Sequence, residues 1–120
     1  VLMEKQGIEK SMSTVHPNEA IEFMIKNAPK YAEAKANRIY LENYLKTVKA
    51  TLALKCNEST VARAEQYALS HPEYKVVLDG LKVAVEQEEH LKWWLLSAQA
   101  RVDVWRTEEA SNRGIDRATR

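Results

Sequence analysis

Residues 72–106 read PEYKVVLDGLKVAVEQEEHLKWWLLSAQARVDVWR, with no proline after Pro72 and one glycine, Gly80. A lone glycine costs a helix about 1 kcal/mol relative to alanine, too little to end one. Ser70 and Glu73 have capping-box spacing, and Pro72 suits a first helical turn. The pattern predicts a helix from here to about Asn112, where Asn-Arg-Gly (112–114) offers a stop. Such a helix of about 40 residues spans about 60 Å. A compact domain of this size has a radius of gyration of only about 13–14 Å. One chain cannot wrap that length, so the stretch predicts a hairpin whose remaining apolar surface is covered by other subunits.

At about 100° per residue, Leu91, Trp94, Leu95, Ala98, Val102 and Trp105 fall on one arc. This is a core stripe, and it assigns Trp94 and Trp105 to the core. Trp93 faces nearly the opposite way, aligned with Ser97, Ala100 and Val104. A second apolar strip on one helix calls for a second partner surface, so Trp93, Ala100 and Val104 are the candidate oligomer interface. Glu88, Lys92, Gln99, Asp103 and Arg106 form a polar edge between the strips.

Upstream, Pro17 opens a short segment with helical spacing, expected to stop near Asn27 because Pro29 disfavours a helical residue before it. From Pro29 to about Asn57 nothing breaks the chain, and Leu41, Leu45, Val48 and Leu52 recur as a helical seam. CNEST (56–60) is the clearest interruption, and STVARAEQYALS after it predicts a short helix. Residues 1–15 lack periodicity and are expected to form a flexible arm, leaving 16–120 as a single helical domain. The fold class is therefore all-α: an elongated antiparallel helical hairpin, two long helices with short accessory helices, assembling as an oligomer.

The composition agrees with a folded chain: 120 residues, 45% hydrophobic and 29% charged, within the range of soluble domains. The net charge of +1 hides segregation. Residues 30–55 carry Lys30, Lys35, Arg38, Lys46, Lys49 and Lys55 against Glu33 and Glu42, while 73–90 are acidic. Such segregation suits either a polyanionic partner or charge matching between subunits. The single Cys56 excludes an intramolecular disulfide and fits a reducing compartment. No stretch has the length and apolarity of a membrane span, and no secretory pattern opens the chain. The expectation is a cytoplasmic protein (in a bacterial host) with no membrane partner.

Enzyme signatures are absent: no Gly-rich phosphate loop, no Gly-x-Ser-x-Gly elbow, no Cys/His metal cluster. Glu86, Glu89 and His90 lie close on one helix, but a carboxylate-bridged metal bundle needs Glu-x-x-His on paired helices, and Gln87 stands three before His90. The reading is non-enzymatic, without cofactor or metal. His16 and His71 each precede a proline at a predicted helix start. Basic residues carry more signal. Lys35, Arg38, Lys46 and Lys49 lie along one side of the helix at 29–57, with Tyr40 and Tyr44 beside it. Cations spaced along a helix can follow a phosphodiester backbone, and tyrosine rings can stack on bases of any sequence. Arg101 and Arg106 belong to a second basic series. A solvated lysine-rich face is the competing reading.

These features together resemble a family. The long basic helix, the turn before "PEY" and the tryptophan-bearing, Arg-terminated last helix, over about residues 30–115, resemble the phage recombination mediators typified by UvsY of T-even phages. That family carries a Leu-Lys-Ala-Arg-Leu patch associated with single-stranded DNA. The corresponding residues here are VKATL (48–52), where Lys49 matches the family lysine and Thr51 replaces the arginine. The resemblance implies a ring-like homo-oligomer that binds single-stranded DNA without sequence preference. It further implies help to a RecA-like recombinase in displacing single-strand-binding protein. A structural or adaptor oligomer working only through protein contacts is the alternative.

Overall fold

A computed structural model describes residues 16–57 and 60–119. Among these the chain is all-helical, with α1 at Pro17–Lys55, α2 at Val61–Ser70 and α3 at Pro72–Thr119. The expectation of a flexible arm at 1–15 lies outside the described residues.

Both long helices start the same way, at the prolines the sequence reading placed there, and only the cap expected for the second differs. Pro17 and Pro72 occupy first helical positions, where their missing N–H would be unpaired anyway. The histidine before each supplies the cap: the Asn18 N–H donates to His16 Nδ1 at 3.2 Å, and the Glu73 N–H donates to His71 Nδ1 at 3.1 Å. Ser70, the expected cap, instead donates its hydroxyl to the Tyr67 carbonyl at 3.2 Å. Thr60 caps α2, its Oγ1 accepting from the Arg63 N–H at 3.2 Å.

Two predicted breaks do not occur. α1 runs through Pro29 without interruption. The proline leaves the Ile25 carbonyl without its helical donor, but Pro29 and Ile25 are both exposed, so water can take that place. Buried positions lie on either side, Asn27 before it and Ala34 after it, and their packing holds the helix across the gap. The Asn27 amide also donates to the Phe23 carbonyl at 2.8 Å, satisfying a buried polar side chain locally. At the other end α3 continues through Asn112 and Gly114 to Thr119. No glycine adopts a positive φ, so Gly114 serves as an ordinary helical residue. The Glu109/Arg113 pair has the favourable i,i+4 order.

The packing divides into two units, residues 16–30 with 91–119, and Tyr31–His90. In the first, α1 meets α3 through small side chains. Ala20 and Ala98 are fully buried with Val102, and Phe23 and Met24 pack around them. Alanine at the contact lets two helices approach closely. The second unit has three helices. Val48 and Leu52 of α1 and Ala68 of α2 form its buried centre, with Ala53, Tyr74 and Val77 against it. α1 and α3 run antiparallel there: Arg38 meets Glu88, while Val48 and Leu52 pack near Tyr74 and Val77. The seam predicted from Leu41, Leu45, Val48 and Leu52 is the inward face, with the first two half-buried.

The tryptophans separate differently from the prediction. Trp94 is half-buried as a core residue should be, but Trp105 is 40% exposed. Its arc is correct; among the described residues α3 meets no packing element beyond Val102 that closes over so large a ring. No helix is long and apolar enough to cross a membrane among the described residues.

Candidate functional site

Burial of a charged pair reorganises the basic face of α1. Arg38 falls in phase with the inward positions Ala34 and Leu41, and Glu88 with Ala84 and Leu91. Both charges therefore point into the seam. Glu88 is buried, not part of the polar edge assigned to it. Arg38 grips it with two donors, Nε to Oε2 and Nη2 to Oε1, the latter at 3.2 Å, while Nη1 donates to Glu42 Oε1 at 2.9 Å. A planar guanidinium suits this fork, since two parallel N–H donors match one carboxylate. The hydrogen bonds to Glu88, then to Glu42, hold Arg38 well above the ordinary arginine range. Its Nε, Nη1 and Nη2 donors are thus engaged by Glu88 and Glu42. The phase of Arg38 and Glu88 with the apolar seams was the signal available in the sequence; counting charged residues as surface obscured it.

Lys49 is also held. Its ammonium donates to Glu65 of α2 at 2.7 Å, an exposed bridge that raises the lysine above its usual value and lowers the carboxylate below its own, in each case first through the hydrogen bond. Lys35 and Lys46 remain exposed, and no ion pair engages them among the described residues. Arg101 is half-buried with a partner of its own, and Arg106 is exposed.

Tyr40 and Tyr44 stack on each other one helical turn apart, ring centroids 5.9 Å and planes 7° from parallel. Tyr40 is 65% exposed, so this is a flat aromatic surface open to solvent. It does not share a face with the lysines. Counting about 100° per residue, Tyr40 and Tyr44 lie on one flank of the inward seam and Lys35 and Lys46 on the other. Cations and rings thus form two surfaces rather than one.

The predicted interface residues of α3 do share a face. Trp93 is 63% exposed and Val104 also open; with exposed Ala100 they lie on the side of α3 away from Ala98 and Val102. The Ser97 hydroxyl within that strip bonds back to the Trp93 carbonyl at 2.8 Å, which leaves the strip without a free polar group at that level. α1 carries an outward apolar strip that the sequence reading did not single out, Ile21 and Ile25 with Ala28.

Among the described residues no group of three or more His, Cys, Asp or Glu side chains is placed to hold a metal ion. Glu86, Glu89 and His90 are all exposed on α3. No family model matches the chain, and neither a curated protein nor a solved structure was found to match it.

Proposed function

We propose that the chain is a non-enzymatic, self-assembling helical protein whose assembly binds single-stranded DNA as a recombination accessory. In that role it helps a RecA-like recombinase displace single-strand-binding protein. The observation that carries self-assembly is the exposure of Trp93 with the open strip around it. A ring of that size, left in water beside Ser97, Ala100 and Val104, favours burial by a partner. Among the described residues no large side chain is fully buried, so much of the apolar surface of the chain remains available for association.

The DNA reading rests on the exposed Tyr40–Tyr44 stack, on exposed Lys46 and Lys35, and on the sequence resemblance over about residues 30–115. Each copy offers few such groups, and an oligomer multiplies them: linked weak contacts raise avidity without any new contact. The mediator makes and breaks no bond. The engagement of Arg38 and Lys49 in ion pairs favours a second reading, an adaptor working through protein contacts alone.

Binding of oligo-dT followed by fluorescence anisotropy across a salt series decides between them. The DNA reading expects affinity to fall as salt rises, with a log–log slope near −0.7 per phosphate neutralised. Lys46→Ala should weaken binding and reduce that slope by about one such increment, and Tyr40→Ala should weaken it with the slope unchanged. No binding at low salt removes DNA and leaves the adaptor.

A further inference from the structure

We infer that the Arg38–Glu88 fork sets the register in which α1 and α3 pair. Within Tyr31–His90 the inward residues of α1 are Ala34, Arg38, Leu41, Leu45, Val48 and Leu52, which recur at alternating intervals of four and three. Those of α3 are Tyr74, Val77, Leu81, Ala84 and Glu88, and they alternate in the same way. All are buried or half-buried. This is the seven-residue repeat of a coiled coil, here in an antiparallel pair of helices. Glu88 faces Arg38, while Tyr74 and Val77 pack against Val48 and Leu52. That register brings Leu45 opposite Leu81.

A seam that repeats every seven residues can slip by seven. Moving α3 along α1 by one repeat, about 10 Å at 1.5 Å per residue, still sets apolar side chains against each other at the remaining levels. Shape gives little to oppose the slip, since among the described residues no large side chain is fully buried. Charge opposes it. One slip sets Arg38 against Leu81 and Glu88 against Tyr31; the opposite slip sets Arg38 against Leu95 and Glu88 against Leu45. Either one separates the Glu88 carboxylate, 6% exposed, from the two guanidinium donors that now hold it. Separating buried partners costs far more than replacing both by apolar groups. Glu42 lies on the same helix as Arg38 and moves with it, so only the bond to Glu88 distinguishes one register from the next. A single polar position in a coiled-coil seam selects register in this way, at some cost in stability.

The test replaces the fork by apolar side chains, Arg38→Met with Glu88→Leu, and reads the register by disulfide trapping in the full chain with Cys56→Ser. Leu45→Cys with Leu81→Cys reports the register described above. Leu45→Cys with Tyr74→Cys reports one slip, and Leu52→Cys with Leu81→Cys reports the other. With the fork intact only the first pair should link within the chain, seen as a mobility shift on a non-reducing denaturing gel. With the fork replaced, at least one slipped pair should link as well, at a yield on the order of a tenth of the first or more. The first link alone in both backgrounds overturns the inference and gives the register to α2, which meets α1 through Ala68 and the Lys49–Glu65 bridge. Slipped links with the fork intact also defeat it. If the cysteine variants do not fold, the amide NMR spectrum of the replaced chain decides: doubled resonances along the seam are expected, and a single set overturns the inference. A replaced chain that does not fold overturns it too, because the fork would then be a source of stability rather than of register.

Discussion

The two packing units are built from the same long helices and stabilised by different means. Tyr31–His90 has a third helix, so Val48, Leu52 and Ala68 enclose one another from three sides and a charged fork sits in the seam beside them. Residues 16–30 with 91–119 have two helices, and their contact is made by alanine and valine with Phe23 and Met24 beside them. Two helices bury only the faces they turn to each other. Large apolar side chains elsewhere on them, Ile25 and Trp93 among them, stay in solvent. A third helix inside the chain closes one region; among the described residues the other has two.

The largest test of that contrast is truncation at the centre of each unit. Leu52 is 3% exposed among several aliphatic neighbours, and Leu52→Ala should cost about 3 kcal/mol, from lost burial and the cavity left behind. Val102→Ala, in the two-helix contact, should cost about 1–2 kcal/mol, because fewer atoms surround it and the site collapses more easily. Urea unfolding monitored by circular dichroism gives both values; equal costs, or the reverse order, break the contrast.

Next in size is the charged fork. Glu88→Ala leaves the Arg38 guanidinium half-buried with only Glu42 for a partner, and the urea midpoint should fall by less than it does for Leu52→Ala. Replacing both, Arg38→Met with Glu88→Leu, should recover most of the loss, since breaking a buried pair is worse than removing it. A double variant no more stable than Glu88→Ala would show that the fork contributes more than its partnering.

The smallest effect belongs to the exposed Lys49–Glu65 bridge, which ties α2 to α1. Glu65 lies below the usual carboxylate range, so its contribution is present at neutral pH and is lost as pH falls through that lowered value. Lys49 lies above the usual lysine range, so its contribution is present at neutral pH and is lost as pH rises through the raised value. Glu65→Gln should therefore flatten the acid limb of a stability–pH profile with little change in the urea midpoint at high salt, where exposed pairs are screened. An acid limb as steep as that of the parent would assign it to other carboxylates.

Much of the fold was legible because helical phase is written in side-chain type. The Leu41–Leu52 seam, the break after Lys55 and the opposed placement of Trp93 follow from periodicity. The failures came where tertiary packing outweighs local preference. Pro29 and Gly114 are local signals worth a few kcal/mol at most, and α1 runs across the first because inward residues on both sides remain packed. The candidate DNA site was less legible. Identity alone marks Arg38 and Lys49 as cations, but only the neighbouring helices show that Glu88 and Glu65 engage them. Tyr40 and Tyr44 looked adjacent to the lysines in sequence and lie on another flank in space.

By itself, then, the sequence determined that the described chain is helical and that α3 has two apolar sides, because both depend on spacing along one helix. Tertiary structure decided which of those sides is enclosed, which charges are paired and how far the helices run. Those outcomes depend on residues about 15 to 80 positions apart coming within a few ångströms, and no spacing along a single helix encodes that meeting.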